Sequence, residues 1–141
     1  MKKATLVLVF AFAALYCAAN AHAAPIDSGS TTGWGDDAVS RALAEEFVKC
    51  SAFSDIAAGC VKNSTQEHHE KIAAQYGENA KRFYKGSYML VGQDFTQNRI
   101  RFHNTAMRRN AGNACEGFPT LEQQYRKRCD DTFKRLPRKL Q

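Results

Sequence analysis

Residues Lys49–Cys60 read KCSAFSDIAAGC, with two cysteines ten positions apart. They sit in an apolar pattern of helical period. Val39, Leu43, Phe47, Cys50, Ala57 and Cys60 follow one another at steps of three, four or seven and predict one stripe on one helix. In a continuous helix Cys50 and Cys60 lie about 15 Å apart along the axis. A disulfide requires Cα atoms within about 7 Å. The two therefore cannot bond to each other, and each must reach a distant part of the chain.

The other cysteines of the C-terminal half are Cys115 and Cys129. Their neighbourhoods also read as helical. Ser64-Thr65-Gln66-Glu67 has the form of a capping box and predicts the start of a second helix, with Ile72, Tyr76, Ala80 and Phe83 inward. Gly86 and Gly92 bracket SYMLV, which either finishes that helix or bends it. A third helix is predicted over 94–111, capped by Asp94, with Phe95, Phe102, His103 and Ala106 inward. Pro119 and Thr120 open a fourth, with Thr120 and Gln123 as its capping box. Leu121, Tyr125, Cys129, Phe133 and Leu136 form its apolar ladder, and Pro137 stops it. Asp36 or Asp37 is the expected cap of the first helix and Gly59 its expected stop.

Four amphipathic helices with short connections imply an all-α fold, a small antiparallel bundle or array. Up-down geometry then selects the pairing. Cys60 and Cys115 share one pole, and Cys50 and Cys129 each lie about ten residues from it, so Cys60–Cys115 and Cys50–Cys129 are the expected disulfides. Zinc and redox sites favour closely spaced pairs such as C-x-x-C, and this spacing is absent.

The N-terminus fits that reading. Lys2 and Lys3 precede an apolar run from Ala4 to Ala19, and Ala21-His22-Ala23 matches a signal-peptidase site. The run is shorter than the roughly 20 residues of a membrane span, so no transmembrane anchor is expected. Tyr16 before Cys17 disfavours lipid attachment at that cysteine. The expected organisation is a signal peptide at 1–23, a flexible leader at 24–35 and one helical domain at 36–141. The style of the signal is bacterial, and the expected location is periplasmic or secreted. An even cysteine count in a small exported chain is the pattern of structural disulfides.

Cleavage after Ala23 leaves 118 of the 141 residues, with 18 Lys+Arg against 14 Asp+Glu. Residues 24–98 carry 7 basic and 10 acidic groups, while residues 99–141 carry 11 and 4. A basic C-terminal third suits an anionic partner, and export disfavours nucleic acid. Candidate contacts are Arg108, Arg109, Arg126, Lys127 and Arg128, since arginine binds carboxylate or phosphate in a fork. Trp34 in the leader is a candidate anchor.

Catalytic patterns are missing. Glu67-His68-His69-Glu70 resembles a metal cluster, but H-E-x-x-H would need a histidine where Ala73 stands. There is no G-x-S-x-G, P-loop or G-x-G-x-x-G. Asn63-Ser64-Thr65 matches a glycosylation triplet, but in a bacterial chain Ser64 is better read as a helix cap. No cofactor or metal is expected. The format resembles small exported helical proteins of proteobacteria, among them toxin-immunity factors and periplasmic inhibitors. That likeness of size, export and cysteines transfers no residue. The expected function is binding another protein, as an inhibitor or immunity factor. The alternatives are a binder of anionic envelope components such as lipid phosphates, and a small envelope hydrolase.

Overall fold

The computed structural model describes residues 38–65 and 67–141. The expected signal peptide, the expected leader with Trp34 and the expected Asp36/Asp37 cap lie outside them. Four helices follow in order: α1 Ala38–Lys62, α2 His69–Val91, α3 Gln93–Ala111 and α4 Phe118–Phe133, with a final 3₁₀ turn Arg138–Leu140. No strand occurs among the described residues.

Side-chain contacts define the directions. Phe47 meets Phe83 and Phe53 meets Tyr76, so α1 and α2 run antiparallel. Glu45 meets His103 and Asp55 meets Arg108, so α1 and α3 run parallel. Cys50 bonds Cys129 with Cα atoms 5.3 Å apart, and Cys60 bonds Cys115 at 5.6 Å. This reversed order makes α4 antiparallel to α1. The fold is therefore an up-down-up-down helical bundle stapled by two disulfides, as the cysteine spacing implied.

α1 is the axis of the bundle and packs on all three other helices. Between Phe47 and Ala57 only Lys49 and Asp55 escape burial. A helix wrapped on every side needs small and apolar residues all round, which explains Ser51, Ala52 and Ser54 at its centre. The predicted stripe was too narrow in the middle and too long at the start, because Val39 is 74% exposed. α1 also continues through Gly59 to Lys62. Gly59 faces open space, while Cys60 and Val61 are buried and Cys60 is tied to Cys115, so packing outweighs the weak helix propensity of glycine.

α2 begins at His69, not at the predicted capping box. Ser64 Oγ is buried without a hydrogen-bond partner, and the chain turns there through Ser64 N–H to the Val61 carbonyl. His68, with φ 62°, is left-handed and excludes an earlier helical start. SYMLV completes α2, and Gly92, with φ 83°, redirects the chain straight into α3.

The inward face of α3 is one residue out of phase with the predicted stripe. Thr96, Met107 and Ala111 are buried, whereas Phe102 is 59% exposed and Ala106 is exposed. Thr96 sets this phase by pairing with buried Ser87 of α2. Phe102 is covered by the Arg99 guanidinium, 4.9 Å from the ring centre. Gly92 rather than Asp94 is the N-cap of α3.

α4 starts at Phe118 with Gly117 as N-cap, so Thr120 lies inside the first turn and provides no side-chain cap. Gly117 N–H donates to the Ala111 carbonyl at 2.8 Å. A Cβ at Gly117 would stand 2.0 Å from the Asn110 carbonyl oxygen, so this close crossing of the chain requires glycine. Leu121, Cys129 and Leu136 are buried and Tyr125 and Phe133 half-buried, as the ladder predicts.

Candidate functional site

Residues 126–128 occupy three successive positions of α4, about 100° apart around the helix. They therefore fan out. Arg126 pairs with Glu122, one turn earlier on α4, at 3.2 Å and leans to α2, where it reaches Tyr76 Oη at 3.4 Å. Lys127 points outward and pairs with Asp131 at 3.1 Å. Arg128 leans to α1 and grips both oxygens of Glu46, its Nε donating at 2.6 Å. Burial raises the Glu46 carboxyl pKa, but the Arg128 and Lys49 contacts outweigh it and hold the group below its ordinary value.

Arg108 sits on the opposite flank, paired with Asp55 of α1 at 3.0 Å. Arg109 is exposed at the end of α3. The five predicted basic contacts thus lie on separate seams, and four of them already hold carboxylates. They do not form one anion-binding patch. The reason is geometric: sequence neighbours on a helix diverge, Glu46 and Asp55 are brought in by α1, and Glu122 and Asp131 pair one turn away along α4 itself.

Summing charge by element gives a different map. α1 and α4 are each neutral, with three basic and three acidic residues apiece. α2 and α3 together carry eight Lys+Arg and three Asp+Glu, a net of +5. The charge excess within the helices belongs to the α2–α3 hairpin.

Depressions border α2 on both sides. The first is a cleft of about 250 Å³ between α2 and α4. These helices meet through side chains, whereas α1 packs closely on all its neighbours. Buried Phe53, Phe83 and Cys129 floor the cleft, and half-buried Tyr76 and Phe133 wall it. Gln75, Asn79, Arg126 and Asp130 form its polar rim. Arg82 closes one end, stacked over Phe133 at 5.7 Å and donating to the Gln141 carbonyl at 2.7 Å. Burial pushes the Tyr76 hydroxyl pKa up despite the neighbouring Arg126, so the group stays protonated and donates to Glu122 at 3.3 Å.

The second depression lies between α2 and α3 over α1, about 420 Å³ in volume and lined mostly by apolar surface. Both follow from one feature: α2 is fastened to α3 only at the Gly92 hairpin and to α4 only by side chains. Gln75 and Asn79 escaped the sequence reading. Their signal was a polar i, i+4 pair beside the apolar stripe, which alone is indistinguishable from ordinary surface.

Among the described residues no three potential metal-ligating side chains converge, and no helix is long and apolar enough to cross a membrane. Glu67 and His68 are exposed and lie 3.4 Å apart. No protein-family model matches the chain, and no curated protein or solved structure is significantly similar to it.

Proposed function

We propose that this chain is an exported, disulfide-stapled helical protein that binds another protein, as an inhibitor or immunity-type factor. The observation that carries the reading is the α2/α4 cleft. Its volume, about 250 Å³, falls below the roughly 300–1,000 Å³ of sites that enclose a whole small molecule. It suits a single aliphatic or aromatic side chain presented by a partner. An aromatic floor with a polar rim is the arrangement of an interface anchor pocket. Gln75 and Asn79 place amide donors and acceptors beside it, ready for a partner's main chain. Export is supported by the N-terminal pattern and by two disulfides, which persist in oxidising compartments.

The test is affinity capture from periplasmic extract with the processed chain and with Gln75→Arg and Asp130→Arg. Both positions are exposed, so the substitutions are expected to leave the fold intact. The expected result is one specific protein retained by the parent chain and lost with the rim variants. Capture of nothing specific, or retention unaffected by the rim, overturns the reading.

The net +5 of α2 and α3 favours a second reading, association with anionic envelope components. Its mark is binding to phosphate-rich vesicles that weakens steeply with salt. Salt-independent association would count against it.

A further inference from the structure

We infer that the α2/α3 groove is a second docking site, for an acidic segment of a partner protein. One apolar side chain of that segment seats between the helices, and flanking carboxylates bind Lys81 and Lys85. The inference is independent of the α2/α4 cleft.

The shape limits the occupant. Each wall is little more than one helical turn long: Ala80 to Lys85 on α2, Ile100 to Asn104 on α3, and Ser51 to Asp55 on α1. At 1.5 Å per residue the walls are about 6–8 Å long. That length admits one side chain and is too short to sheathe an acyl chain or a whole helix. The lining is mainly apolar, and Ile100, Ala80 and the Tyr84 ring supply surface that an aliphatic or aromatic anchor covers.

The charge selects the sign. Lys81 and Lys85 stand together on the α2 wall. Lys81 holds only an exposed pair with Glu78 at 2.7 Å, which is readily exchanged. Lys85 makes no ion pair among the described residues. On the far side Asp55 is neutralised by Arg108 at 3.0 Å. The hairpin bearing both walls has a net charge of +5. An acidic segment gains from all of these, and a basic one is repelled.

The groove also holds an unpaired acceptor. Asn104 Oδ1 is buried with no hydrogen-bond partner. Buried polar atoms without partners are uncommon in folded proteins. Rotation of this half-buried side chain offers the oxygen to a peptide N–H lying in the groove.

The test uses the isotope-labelled processed chain with both disulfides intact. It is titrated with a short synthetic peptide carrying Asp and Glu around a central leucine, then with the same peptide carrying Lys in their place, and with phosphatidylglycerol vesicles. The expected result is amide shifts centred on Ala80, Tyr84, Lys85, Ile100 and Asn104 with the acidic peptide alone, weakening as salt rises. The double variant Lys81→Glu/Lys85→Glu should bind about tenfold more weakly with an unchanged circular dichroism spectrum. No shifts, shifts centred on Gln75, Asn79 and Phe133 instead, equal binding of the lysine peptide, or binding of vesicles but not peptide would each overturn the inference. The shift map separates a failure here from a failure of the α2/α4 cleft.

Discussion

Ser87 donates its hydroxyl hydrogen to Thr96 Oγ1 across 2.9 Å, inside the angle between α2 and α3. The direction follows from the next link. Thr96 Oγ1 lies 2.8 Å from the Gly92 carbonyl, which can only accept, so the threonine hydrogen is committed there. Both side chains are fully buried. This relay locks the hairpin and sets the phase of α3.

Thr96→Val should therefore cost about 1–3 kcal/mol, because it strands a buried Ser87 hydroxyl. The double variant Ser87→Ala/Thr96→Val should recover most of that loss. Urea unfolding of the four chains measures the coupling. Additive losses would show that the relay does not hold the hairpin.

Acid should loosen the α1–α3 contact. Arg99 donates to both Glu45 oxygens and lowers the carboxyl most; burial opposes it, and His103 at 2.7 Å assists, so the pKa falls from 4.5 to about 2. A carboxyl depressed in the folded state stabilises fully above its unfolded value. That stabilisation, on the order of 2–3 kcal/mol, disappears as pH falls from 4.5 towards 2. Glu45→Gln should be less stable at neutral pH and should show a shallower acid loss. Parallel pH profiles for the two chains would refute this.

The disulfides should differ in accessibility. Cys50 and Cys129 are buried, whereas Cys115 is half-buried. Attack by a thiol requires access, so mild reductant should free Cys60 and Cys115 first. Mass mapping after brief reduction reads the order. Replacing either pair by alanine should cost about 4 kcal/mol in the chain-entropy account, since the bonds span sequence separations of 79 and 55. The loops nest, so the two losses should not fully add.

Two glycines of α2 should respond in opposite ways. A Cβ at Gly77 meets nothing within 4 Å, so Gly77→Ala should stabilise by about 0.5–1 kcal/mol through helix propensity and chain entropy. A Cβ at Gly86 stands 2.6 Å from Leu136 Cδ2 and 3.0 Å from Phe47 Cδ2. Gly86→Val should overpack that contact and lower stability by about 1–3 kcal/mol. Thermal melts would compare them; a stabilising Gly86→Val would mean that Leu136 does not seat there.

The sequence alone determined the helix count, the up-down order and the disulfide pairing. The cysteine argument worked because it rests on rigid lengths: a helix of known rise and a bond of known reach exclude Cys50–Cys60, and up-down order then selects one of the two remaining pairings. Local end signals transferred poorly. Ser64 and Thr120 look like caps, yet the helices begin where His68 turns left-handed and where Gly117 lets the chain cross Asn110. Phe102 follows the predicted period but lies outside, because Thr96 and Ser87 rotate α3 by one residue. The basic residues were visible as a cluster in the chain, and only the tertiary structure separated them. Helical geometry fans neighbours apart, and their carboxylate partners are as far as 82 positions away. The two grooves beside α2 were likewise absent from the linear pattern. They exist because α2 packs along α1 but closes only partly on α3 and α4, a property of the spacing between helices that no single helix encodes.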